Sequence, residues 1–134
     1  MRVQHYAALV VMFAMWSLTA EAHHSFTAFW HTDREVEITG IVTSVKLVNP
    51  HSEMLVEVAE ADGRKSIWTI TSRATGTGIL QGGWTKETVP VGTRVKVVGH
   101  PSRKEGAKAL AAGTITLPDG KQVCFGGSCG IQQG

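Results

Sequence analysis

Six histidines stand in this chain of 134 residues, and two of them, His23 and His24, are adjacent and directly follow Ala20-Glu21-Ala22. That triplet ends an apolar run from Tyr6 to Leu18, which itself follows the basic start Met1-Arg2. A basic start, an apolar run and a small-x-small triplet form the layout of a secretory signal peptide. The run is shorter than the roughly 20 residues that a membrane-spanning helix needs, so the reading is cleavage after Ala22 rather than a membrane anchor. Cleavage there makes His23 the first residue of the working protein. Its α-amine, with an ordinary pKa of about 7.7–8.0, and its imidazole Nδ1 then close one chelate ring on a metal. A third nitrogen from a distant histidine completes a T-shaped site of the kind called a histidine brace. Cu(II) takes such tetragonal nitrogen ligands and tops the divalent affinity order.

Two distant histidines are candidates for the third position. His51 lies in "VNPHSE", between the first two expected strands, and His100 lies in "VVGHPSRKEG", after the fourth. His24 offers a further imidazole or a backbone amide. The metal set is therefore His23, His24, His51 and His100, with copper as the expected cofactor. The plainer alternatives are a disordered start for His23 and His24, a turn-capping role for His51, and solvent exposure for His100. The strand parity of His100 matches Arg94, Lys96 and Val98, an outward-facing set. His31, after Trp30, reads as structural.

The cysteines, Cys124 and Cys129, both lie in "VCFGGSCG". An exported chain meets an oxidising compartment, which favours a Cys124–Cys129 disulfide over a pair of thiolate ligands. No nucleophile elbow, carboxylate pair or phosphate-cradling loop is present, so the chain is not expected to be an enzyme. The net charge of +2 is too weak to argue for nucleic acid. The expected partners are a metal ion or small ligand, or a periplasmic protein, with no nucleic acid and no membrane once the signal is removed. The expected location is periplasmic or secreted.

The elements that must position these residues are strands. "VEITGIVTSVKLV" is rich in β-branched residues, and its apolar parity changes at Gly40, which implies a bulge or sharp coil. "SEMLVEVAE" and "RKSIWTITS" flank a hairpin signal at Ala61-Asp62-Gly63. "RATGTGILQGGWTKETV" lacks strand alternation and reads as a poor helix or loop that packs Ile79, Leu80 and Trp84 onto a barrel end. A strand with Val95 and Val97 inward follows the turn at Pro90 to Gly92. A fifth strand, a turn at Pro118 to Gly120 and a short closing strand complete the pattern. Three strands, a link, then two strands is the order of an OB fold. The expectation is an all-β, OB-fold-like barrel of five to six strands, with one short helix or loop between strands three and four. The expected domains are a cleaved signal at 1–22, an extended segment at 23–35, the barrel at 36–125 and a glycine-rich tail at 126–134.

Taken together, the chain resembles a family of small exported bacterial proteins of unknown function. The marks are "AHHSF" (Ala22 to Phe26), "VNPH" (Val48 to His51), Trp68, "GW" (Gly83-Trp84), "VGTRVKVVGHP" (Val91 to Pro101) and "TLPDG" (Thr116 to Gly120). The resemblance implies a signal-bearing β-barrel without an assigned activity. Relatives tend to carry an acidic residue where this chain has Thr71, and often one where it has His31; the cysteine pair is also unusual among them. The leading functional expectation is a periplasmic copper carrier or buffer that uses the processed His23. The alternative is a non-catalytic OB module binding a peptide, glycan or partner protein.

Overall fold

The computed structural model describes residues 26–126. The segment read as a signal peptide, His23, His24 and the tail from Gly127, Cys129 included, lie outside them. One helical turn, α1 (Phe26–Phe29), precedes β1 (Val36–Lys46), β2 (Glu53–Ala59) and β3 (Lys65–Thr71). Then come α2 (Gly76–Gln81), β4 (Arg94–Pro101), β5 (Ala109–Thr116) and β6 (Gln122–Val123). The strand order is β3-β2-β1-β4-β5-β6, and a parallel pairing of β3 with β5 closes five of the strands into a barrel. This is an OB-fold-like barrel, with α2 in the link between strands three and four.

β1 makes the closure possible by serving two neighbours. Val36 to Ile41 pair with β4, and Ile41 to Lys46 pair with β2. Gly40 stands where the strands cross. A Cβ there would lie 2.2 Å from the Glu57 carbonyl oxygen and 2.7 Å from a Val56 methyl. The parity change expected at Gly40 falls instead at a bulge between Val42 and Ser44. Ile38, Gly40 and Val42 all face the core. The outward Ile41 gives the sequence a false change of phase, because it is apolar without being buried.

The core is built from Ile38, Val42, Met54, Val56, Ile70, Val95, Val97, Leu110 and Ile115, joined by Ile79, Trp84, Val89 and Phe125 from outside the main strands. Thr75 caps α2 through its hydroxyl, which accepts from the Gly78 N–H at 3.1 Å. The short helix seats Ile79 in the core and leaves Leu80 exposed, so one of the expected core residues is a surface residue. Trp84 and Phe125 pack with centroids 5.0 Å apart, and the Trp84 indole N–H donates to the Cys124 carbonyl at 2.7 Å. Cys124 is disulfide-bonded.

Two substitutions probe this arrangement. Gly40→Ala sets a methyl against a backbone carbonyl that cannot swing aside, and overpacking of this kind costs about 1–3 kcal/mol. Phe125→Ala empties a fully buried site and costs about 3–5 kcal/mol. Both losses are expected as lower urea midpoints with an unchanged denaturant slope.

Candidate functional site

The segment before β1 lies along the outside of β4 and the loop that follows it. Trp30 bridges to Ser102. The His31 N–H donates to the Pro101 carbonyl at 2.9 Å, and the Arg103 N–H donates to the Phe29 carbonyl at 2.8 Å. The Arg103 guanidinium also donates to the Thr27 carbonyl at 2.7 Å. These bonds satisfy backbone groups that a free terminal segment would leave to water. The Phe26 ring is held on three sides: Trp30 stacks at 6.3 Å, His100 meets it edge-on at 5.9 Å, and the Arg73 guanidinium sits 4.5 Å above its centre.

This packing changes the reading of His100. Parity places it on the outer side of β4, as expected, but it is half-buried rather than solvent-exposed, because the N-terminal segment covers it. Its Nδ1 lies 2.9 Å from the Arg34 carbonyl oxygen. A carbonyl only accepts, so Nδ1 carries the proton, and in the neutral ring Nε2 holds the free lone pair. An imidazole fixed in this way by a backbone carbonyl has the orientation that metal-binding histidines usually show.

The other candidates lie elsewhere. His51 is exposed, beside Ser52, on the loop between β1 and β2. That loop is held by other side chains. Ser52 Oγ accepts from the Val48 N–H at 3.1 Å, and Asn49 bonds Thr77 through both its amide nitrogen and its oxygen; His51 is not the turn cap. The ladder Glu53–Thr71–Ala111–His100 runs around the barrel. Glu53, two residues past His51, is thus three strand spacings from His100, roughly 14 Å along the wall at about 4.8 Å each. Two nitrogens on one metal must stand far closer, with bonds near 2 Å. Among the described residues no three His, Cys, Asp or Glu side chains are grouped to hold a metal ion. His31 sits 3.5 Å from Asp33 at the surface. His23, His24 and Cys129 fall outside the described residues.

A second feature was not singled out from the sequence. Where β1 leaves β2 to follow β4, a cleft of about 640 Å³ opens, lined by Val36 to Ile41, Glu57 to Glu60, Lys65, Trp68 and Arg94. Trp68 is half-buried, and its indole N–H is buried with no acceptor among the described residues. A buried donor left unpaired costs about 1–3 kcal/mol, and indole N–H groups usually find a partner. Beside the ring, 5.8 Å from its centre, stands the Lys108 ammonium. Lys108 and the Ser66 hydroxyl both donate to Glu60 Oε1. The hydrogen bond from Lys108, then that from Ser66, holds the Glu60 carboxyl below its ordinary value of 4.5.

A family of unknown function, DUF6152, matches residues 11–111, and the chain belongs to it. A comparison with curated proteins finds no match. Among solved structures, the chain is similar to the mitochondrial single-stranded DNA binding protein Rim1 of S. cerevisiae. The likeness covers 72% of this chain and 98% of that one, at 14% identity and a TM-score of 0.48. The expectation that no nucleic acid binds, drawn from the net charge of +2, does not stand. Single strands are gripped by local basic grooves and stacking rings, so a chain's net charge is the wrong quantity for excluding them. Among the described residues no helix is long and apolar enough to cross a membrane.

Glu60→Gln tests the coupling beside Trp68. A carboxyl with a lowered pKa contributes stability that is present above its ordinary value and is lost as pH falls through the lowered one. The variant is expected to melt slightly below the parent at pH 7. The gap should close as pH falls below 4.5 and shrink in added salt, because the pair is only partly buried.

Proposed function

For this member of a family of unknown function, we propose an exported, non-catalytic binding module in which the processed N-terminus and the barrel together hold a copper ion. The observation that carries the proposal is the packing of Phe26 against His100. His23 stands three residues before Phe26, and three residues of extended chain reach about 10 Å. That length is enough for a processed His23 to reach His100, whose Nδ1 is already engaged by Arg34. In this reading His23 chelates through its amine and Nδ1, and His100 Nε2 supplies the third nitrogen. His24 is an auxiliary ligand, and His51 takes no part. The location is the periplasm or the cell exterior, and the role is that of a carrier or buffer, with no reacting substrate.

The same arrangement sets a charge constraint. Arg73 and Arg103 flank the segment, so the site repels a further cation unless its nitrogens are fully deprotonated. Metal binding releases protons, and affinity falls as pH drops below the value at which the α-amine is free.

Copper titration of protein beginning at His23 tests the proposal. One glycine placed before His23 moves the amine out of the chelate. The expected loss exceeds the roughly 10–100-fold that removal of a second-shell partner alone brings. His100→Ala is expected to weaken binding and change the copper electron-resonance spectrum, and His51→Ala to leave both unchanged. Equal affinity with and without the added glycine overturns the chelate, and an unchanged spectrum in His100→Ala removes the barrel from the site.

A further inference from the structure

The cleft between β1 and β2 has the properties of a strand-docking site. The N–H and C=O of Val42 both bond toward the β4 side, to Thr93 and Gly92. Strand groups alternate with a period of two, so those of Gly40, Ile38 and Val36 also face β4. Those of Glu37 and Thr39 face the other way. The pairing of β1 with β2 begins only at Ile41 and Glu57, so Glu37 and Thr39 turn their backbone donors and acceptors into the cleft with no strand opposite them among the described residues. The cleft wall adds the Trp68 indole, whose N–H lacks an acceptor among the described residues. Its charged lining is largely matched internally: Glu57 pairs with Lys65, Glu37 with Lys96, and Glu60 with Lys108. Arg94 lines the same cleft and, among the described residues, has no carboxylate within pairing distance.

We propose that this cleft binds an extended, acid-bearing peptide segment of a partner protein by strand addition to the first half of β1. Main-chain bonds to Glu37 and Thr39 give the segment its register. A side chain of the segment packs on the Trp68 ring, which lines the cleft, and a carboxylate two residues along meets Arg94. Strand addition of this type takes affinity from the backbone and specificity from alternate side chains. An edge that presents unpaired groups is either protected or used, and among the described residues no strand, helix or proline protects this one. The charge balance selects an acidic segment, because the lining cation left over is Arg94 while the carboxylates already have partners. The site uses the edge of β1 that faces away from His100, so it stands or falls independently of copper.

The probe is a pool of acetylated, amidated pentapeptides with Asp or Glu at the centre and the other positions varied, titrated into isotopically labelled protein and followed by amide and indole N–H resonances. Saturable shifts are expected at the Glu37 and Thr39 amides and at the Trp68 indole. A pool N-methylated at alternate amides is expected to produce none. Thr39→Pro removes one donor facing the cleft while leaving the β4 ladder its own donors, and is expected to abolish the shifts. Arg94→Ala leaves the fold intact and is expected to weaken binding by about two- to fivefold, the size of an exposed ion pair. Absence of saturable shifts at these positions, equal binding of the N-methylated pool, or shifts produced by a neutral oligosaccharide and not by the peptides overturns the proposal.

Discussion

β1 must leave one sheet partner and take another within eleven residues, and the rest of the barrel depends on that bend. Gly40 permits it by letting the backbone pass against the Glu57 carbonyl at a distance no side chain allows. The bulge after Val42 then turns the second half of the strand so that its inward set continues on the new partner. Without the bend, β4 and β2 could not both flank β1, and the parallel contact of β3 with β5 would have no barrel to close. The α2 end depends on a similar approach: a Cβ on Gly76 would lie 2.5 Å from the Val48 carbonyl group. Of the described glycines, these two meet other parts of the backbone most closely.

The bend also explains why the surface is uneven. A strand shared between two neighbours is engaged on both sides only where the two pairings meet, at Ile41 and Val42. On either side of these residues one edge is left over. Toward the start of β1 the free edge faces the cleft that holds Trp68. The N-terminal segment runs beside β4, on the opposite side of β1, where its backbone meets Pro101 and Arg103. Closure of the barrel thus leaves one edge covered by the chain itself and another open.

Much of the architecture is legible in the sequence because it rests on local patterns. Alternation in β2 and β4, the Asp-Gly turn before β3 and the loss of alternation before Trp84 each reflect physics confined to a few residues. The misreadings have a common cause in contacts between distant parts of the chain. Ile41 looks like a core residue because it is apolar, yet it faces outward, and only the pairing on both sides shows that the true shift comes later. Leu80 looks equivalent to Ile79, but α2 is a single short helix that can bury one side only. His100 is correctly placed on the outer face by parity. No local pattern reveals that Phe26 and Arg34, from the far end of the chain, close over it.

Those long-range contacts also separate the histidines by role. Strand order alone suggests that the loops carrying His51 and His100 share a mouth, since both flank the same face in an OB fold. The register shows that they do not come together, because each step from β2 to β3 to β5 to β4 carries the wall another strand spacing around the barrel. What singles out His100 is the company it keeps: a carbonyl on Nδ1, an aromatic ring against its edge, and a chain segment that leads directly back to His23. His51 has none of these, although it follows a loop whose neighbours Asn49 and Ser52 are firmly bonded. A rigid loop with an exposed imidazole fixes the position of that imidazole but brings no second ligand to it. A half-buried imidazole beside an anchored N-terminal segment has a fixed tautomer and ordered neighbours on its own face, which the exposed His51 lacks.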